Sequence, residues 1–121
     1  MSHTERTLAH YRARGYRCAI TEKWNSGAGR RQDLFGFIDI IGLHPDRGIV
    51  GIQSCGGDSD FRGHVRKLMQ DRAHYCVDWL QAGGKIDLLG WRKIGRVYKP
   101  RFREFTINDF LDTDFVHPAF M

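Results

Sequence analysis

The sequence predicts a single small α/β domain, with helices flanking a central mixed sheet. Three observations predict it. A chain of 121 residues suits one domain and can bury a real core, roughly two-thirds of the surface its unfolded form exposes. Apolar runs bounded by Gly, Pro, Asn and Asp recur along it, as strands bounded by turns do. Between two of these runs, Phe61 to Leu80 places Phe61, Val65, Leu68, Met69, Cys76 and Leu80 at helical period, the pattern of a crossover helix joining strands of a mixed sheet.

The elements follow in order. SHTE, Ser2 to Glu5, has capping-box spacing, so a helix is expected from there to about Arg14, ending at Gly15. YRCAI (Tyr16 to Ile20) is a short strand. The polar, basic, glycine-containing stretch TEKWNSGAGRRQD is expected to be a mobile loop. FGFIDIIGL and IVGIQSC are strands joined by the HPDRG turn. Gly56-Gly57 breaks the second strand, Asp58 or Ser59 caps the long helix, and Gly83-Gly84 ends it. KIDLLGW is a strand, RKIGRVYKP a basic connection and RFREFTI a last strand, since Pro100 tolerates a strand start but not its middle. This gives a domain over residues 1–107 and an acidic, aromatic tail over 108–121, with a short helix from Asn108 or a docking arm.

Composition limits the function. Hydrophobic residues make up 41% and aromatics 12%, against global disorder. No apolar run approaches the ~20 residues of a membrane span, and MSHTERTLAH has no signal-peptide pattern. Cys18, Cys55 and Cys76 are odd in number and lack CxxC spacing, against a disulfide framework or structural zinc. A reducing, cytoplasmic setting is expected. All 19 Lys and Arg precede residue 108, where only 11 of the 14 acidic residues lie, so that part carries +8 and the last 14 residues −3. A basic body suits a polyanionic partner, most simply DNA.

One polar residue interrupts each of the two apolar strands: Asp39 and Gln53. A carboxylate in an apolar strand is costly without a partner. The short turn makes the strands antiparallel neighbours, so Asp39 and Gln53 can meet off the sheet, and Glu5 on the first helix can join them. Two carboxylates with an amide or backbone oxygen are hard ligands for Mg²⁺ or Mn²⁺. The plainer readings are an edge aspartate held by hydrogen bonds and a glutamate that only caps its helix.

The order helix, strand, Asp-bearing strand, Gln-bearing strand, helix, strand resembles the PD-(D/E)XK nuclease superfamily, especially small Holliday-junction resolvases and phage VRR-NUC-type nucleases. Glu5 matches the helix acid, SGAGRR (Ser26 to Arg31) the basic loop, Asp39 of FIDII the strand aspartate, and Gln53 of GIQSC the (E/Q) of (E/Q)xK. The match runs from Ser2 to Trp91. The resemblance implies a restriction-endonuclease-like domain, a metal-dependent DNA endonuclease and a homodimer. It implies metal ligation by Asp39, Gln53, Glu5 and the Ser54 carbonyl. Phosphate contacts would come from Lys23, Ser26, Arg30, Arg31, Arg66, Arg92 and Lys93.

Cys55 occupies the position of the motif lysine, and three accounts follow. A relocated cation replaces the lysine: on a wheel drawn through the long helix Arg62 lies near the sheet-facing side and Lys67 nearly opposite, while Lys23 and Arg31 can reach in from the loop. Alternatively the site cleaves slowly without the lysine. Or catalysis is lost and the fold serves as a module that binds nucleic acid or a host protein, as a phage accessory or inhibitor would. Separately, WRKIGRVYKPRFR interleaves six basic residues with Trp91, Tyr98 and Phe102, which suits phosphate contact and base stacking, or a basic hairpin with its rings in the core.

Overall fold

In a computed structural model that describes residues 1–111, the chain opens with α1 (His3–Arg12). Its capping box is formed: Ser2 Oγ accepts the Glu5 N–H and a Glu5 carboxylate oxygen accepts the Ser2 N–H, both at 3.1 Å. β1 (Arg17–Ile20) follows. The stretch expected as a mobile loop is instead a hairpin, β2 (Lys23–Asn25) against β3 (Arg30–Gln32), with Lys23 opposite Gln32. Asn25 explains the turn. Its side-chain oxygen accepts the Ala28 N–H at 3.0 Å and its amide donates to Gln32 Oε1 at 2.9 Å, local bonding that makes Asn a turn residue.

β4 (Ile40–His44) begins later than the expected Phe35. Phe35 and Gly36 have φ of 53° and 75°, which no strand accommodates, so Leu34 to Ile38 close a tight turn. β5 (Gly48–Gly56) follows the expected turn. The long helix is interrupted: α2 (Ser59–Arg66), a π turn (Lys67–Asp71) and α3 (Ala73–Gln81). The buried residues explain the interruption. From Leu68 the next buried apolar position is Ala73, a step of five, the π period rather than the α period. The Arg72 N–H donates to the Lys67 carbonyl at 2.9 Å, closing that wider turn.

β6 (Lys85–Ile94) and β7 (Val97–Phe105) are longer than expected, and the basic connection between them belongs to both strands. Pro100 sits inside β7, opposite Trp91. It does no harm there because β7 is an edge strand. α4 (Asn108–Leu111) closes the described chain. Phe110 is buried in the core, and Arg103 Nη2 bonds Asp109 Oδ1 at 3.0 Å, so the folded domain continues past residue 107. The rest of the expected tail lies outside the described residues.

The sheet has the order β1-β4-β5-β6-β7. β5 and β6 are parallel and the other pairs antiparallel, the mixed topology that a crossover helix requires. Strand alternation divides the core between the two faces. Val50, Ile52, Leu89 and Trp91 meet Leu8 and Tyr11 of α1 on one face. Cys55, Ile86, Leu88 and Phe105 meet Phe61, Leu68, Cys76 and Val77 of the crossover on the other. Gln53 shares the parity of Cys55 and so belongs to the crossover face. No helix among the described residues is long and apolar enough to cross a membrane.

Candidate active site

The ladder between β4 and β5 pairs Ile40 with Ile52, so Asp39 and Gln53 stand opposite each other one step beyond it. They meet as the alternation predicts: Gln53 Nε2 donates to Asp39 Oδ2 at 2.7 Å, and the Ser54 N–H donates to the same oxygen at 2.8 Å. Asp39 is only 3% exposed, and its other oxygen, Oδ1, is buried with no hydrogen-bond partner among the described residues. A buried carboxylate oxygen without a donor calls for a proton or a cation.

The acids that join Asp39 come from the hairpin. Lys23 pairs with Gln32, so Glu22 and Asp33 face each other at the hairpin's base. One carboxylate oxygen from each of Glu22, Asp33 and Asp39 lies within 4.8 Å of the others. Gln53 Nε2 also reaches Asp33 Oδ2, at 3.3 Å. Lys67, on the π turn, approaches from the crossover: its Nζ lies 3.3 Å from Gln53 Oε1 and 3.5 Å from Asp33 Oδ2. Three hard oxygen donors fit Mg²⁺ or Mn²⁺.

The two aspartates have opposite proton affinities. Burial, then the neighbouring Asp33 carboxylate, push Asp39 up to about 8 against the Ser54 N–H and Gln53. Burial also works to raise Asp33, but its interaction with Asp39, the Lys67 charge and Gln53 outweigh it and hold Asp33 below the ordinary carboxylate range. The pair therefore holds a proton more tightly than an isolated carboxylate does, with Asp39 the member pushed upward. A divalent cation would displace that proton.

Glu5 does not join this cluster; its carboxylate is taken up by the capping box. The Ser54 N–H donates to Asp39 Oδ2, and its hydroxyl bonds Thr7 Oγ1 at 2.8 Å. Arg62 faces away: it lines a surface recess with Phe61, Val65 and residues of β7. The wheel misjudged Lys67 because the π turn puts the buried stripes of α2 and α3 out of phase. Cys55 is buried, and burial, then Asp60 and Asp39, push its thiol up to about 12, so it is no thiolate at neutral pH. Its sulfur also lies within 4.8 Å of ligand atoms of Asp60 and His64. There Asp60 Oδ2 accepts the Gly56 N–H at 2.7 Å and braces the start of α2.

An open cleft of about 470 Å³ adjoins Asp33 and is lined by Arg30, Arg31, Lys67 and Arg72 with Phe35 and Tyr75. Arg31 also pairs with Glu22 at 3.1 Å. Lys23 and Ser26 are exposed elsewhere on the hairpin, and Arg66 on α2. Arg92 and Lys93 lie on the β6–β7 ribbon, where Arg92 is 3.9 Å from Asp58. Of the ribbon's rings, Trp91 is buried with its Nε1 donating to Thr7 Oγ1 at 2.8 Å, Tyr98 lies under the Arg6 guanidinium, and Phe102 faces outward.

Sequence reasoning missed Glu22, Asp33 and the two rings of the cleft. The available signal was the spacing of the two acids, equidistant from the SGAG turn (Ser26 to Gly29), which a hairpin would bring face to face. Comparison with protein-family models, with curated proteins and with solved structures finds no match to this chain.

Proposed function

We propose that this chain is a metal-dependent DNA endonuclease of PD-(D/E)XK type in which Lys67 stands in for the motif lysine. The observation that carries this reading is the convergence of Glu22, Asp33 and Asp39 with Lys67 Nζ, which lies 3.5 Å from Asp33. The element order supports it: the Asp-bearing and Gln-bearing strands are adjacent, and the helix after them supplies the cation. Glu22, Asp33 and Asp39 would hold Mg²⁺ or Mn²⁺. Bound there, the ion would polarise a phosphodiester oxygen and acidify water.

The chain's own residues do the rest. Arg30, Arg31 and Arg72 line the cleft and position the phosphates of the strand. Lys67 offsets the negative charge that builds up on the phosphoryl oxygens in the transition state. Gln53 links both aspartates to Lys67, so it holds the acids and the cation in one geometry. Cys55, protonated and buried, fills the space of the missing lysine without supplying charge.

The test is cleavage of four-way junction, duplex and single-stranded DNA with Mg²⁺ and with Mn²⁺, alongside Asp33→Ala and Asp39→Ala. Cutting by the native protein and by neither variant is the expected result. If the native protein binds DNA but cuts none of it, the site is a binding module. If it neither binds nor cuts, a protein partner takes the place of DNA. The resemblance to resolvases further implies a homodimer, which sedimentation would detect.

A further inference from the structure

We propose that Phe35 and Tyr75 form a stacking platform for an unpaired base beside the acidic cluster, so that the cleft takes a strand with at least one unstacked nucleotide in preference to continuous duplex. The proposal rests on the reading above in taking DNA as the ligand. Phe35 has φ of 53°, a left-handed conformation that costs a bulky L-residue energy and that structures retain mainly at functional positions. The turn that imposes it is well tied. The Gly36 N–H donates to the Asp33 carbonyl at 3.0 Å, and the Phe37 and Ile38 N–H groups donate to the Leu34 carbonyl at 3.2 and 3.0 Å. Arg72 Nε donates to the Gly36 carbonyl at 3.2 Å, tying the turn to the crossover helix. The strain serves to project the ring outward rather than bury it: Phe35 is 50% exposed.

Tyr75 on α3 is also 50% exposed. The two rings lie near parallel, with centroids 6.1 Å apart and an interplanar angle of 22°. Trp79 borders Phe35 on the core side, 6.4 Å away and tilted by 58°. Packing on Trp79 and Tyr75 accounts for part of the Phe35 ring and leaves half of the residue exposed. The open rings share their cleft with four cations, Arg30, Arg31, Lys67 and Arg72. Cations alone would suit any polyanion, and rings alone any apolar ligand. The combination selects phosphates that carry flat, aromatic groups. In continuous duplex the base faces are covered by their neighbours, so these rings can stack only on a base outside the stack. Asp33 lines the same cleft, which places the phosphate of such a nucleotide next to the acids.

The test is fluorescence-anisotropy binding, in Ca²⁺, of a short single strand, a gapped duplex and a continuous duplex of the same sequence. Native protein is compared with Phe35→Leu, Tyr75→Leu and Tyr75→Phe. Each Leu variant should lose about 5- to 150-fold in affinity for the single strand and the gap, the range that base–ring stacking supplies. Both should bind continuous duplex as the native protein does, and Tyr75→Phe, which keeps its ring, should bind all three normally. A 5-iodouracil placed in the gap should photocrosslink to Phe35 or Tyr75. Equal losses on every DNA, or no loss on any, overturn the platform. Cleavage in Mg²⁺ is scored separately. A native protein that prefers the gap but never cuts overturns the nuclease reading and leaves the platform standing. Cleavage without any effect of the Leu variants does the reverse.

Discussion

Lys67 Nζ stands 3.5 Å from Asp33 Oδ2, an ion pair that joins the π turn of the crossover helix to the base of the β2–β3 hairpin. The two elements that flank the acids are thereby held together by the cation that the proposed function assigns to the site. Lys67→Met should lower the cleavage rate by about 10²- to 10³-fold, the usual cost of removing one donor that stabilises transition-state charge. DNA affinity should fall far less, because the cleft's arginines remain. Arg62→Met should cut at close to the native rate. Single-turnover kinetics beside a binding isotherm separate the effects, and the reverse ranking of the two variants would return the role to Arg62.

The sheet was legible because its signals are periodic. Val50, Ile52, Leu88 and Leu89 sit in runs bounded by Gly and Asp, and period two sorted them between the faces. Asp39 and Gln53 were legible for the same reason: each is a polar exception in an apolar strand. Glu22 and Asp33 were not, since polar residues in a polar stretch stand out by nothing local. Their meaning depends on the register of a hairpin whose turn is set by Asn25 side-chain bonds. Lys67 was misplaced because a wheel assumes one uniform helix, and only packing against the sheet produces a π turn. Asp87 carries no local signal for its full burial; its partners, Tyr11 and Arg47, are distant in sequence.

Asp39 should make stability fall as pH rises. Its folded pKa of about 8 lies above the ordinary 3.8, so between those values the native state binds a proton that the unfolded chain has released. Its contribution is complete below the unfolded value and is lost as pH rises through about 8. Asp33 acts in the other direction and only in acid: its lowered pKa gives stability that is lost as pH falls below the ordinary carboxylate range. Melting temperature should therefore peak at mildly acidic pH and decline toward pH 8. Asp39→Asn removes the titrating group while keeping the hydrogen bonds to Gln53 and Ser54. It should flatten that decline and be more stable than the native protein at pH 8 by about 1–3 kcal/mol, the cost of a buried unsatisfied polar group. A native melting temperature that rises from pH 5 to pH 8 would refute the protonated Asp39.

Glu22 and Glu5 should behave as opposites. Glu22→Gln removes a charge from the acidic cluster and should weaken Mn²⁺ binding at least about tenfold, with little change in melting. Glu5→Ala breaks the capping box and should cost about 0.5–2 kcal/mol in stability with Mn²⁺ binding intact. Calorimetric Mn²⁺ titration and thermal melts on both variants give the comparison. Metal loss in Glu5→Ala would restore the helix acid as a ligand.

The largest single loss of stability should come from the opposite face of the sheet. Asp87 is fully buried on β6, where Tyr11 Oη donates to its Oδ2 at 2.6 Å and Arg47 holds it in two bonds of 2.7 and 2.9 Å. This cluster ties α1 and the turn after β4 to the middle of the sheet. Arg47 also reaches Glu104 at 3.2 Å, so it spans β6 and β7. Arg47→Ala leaves a carboxylate at full burial with, among the described residues, the tyrosine hydroxyl as its remaining side-chain partner. It should cost about 3–5 kcal/mol, the penalty of an uncompensated buried charge. Arg47→Ala together with Asp87→Asn removes that charge and should recover part of the loss, a coupling that a double-mutant cycle in urea measures. Metal binding at the acidic cluster, on the crossover face, should be unchanged in whatever fraction of each variant is folded. If the double variant is no more stable than Arg47→Ala alone, the loss comes from packing of the arginine stem rather than from the stranded charge.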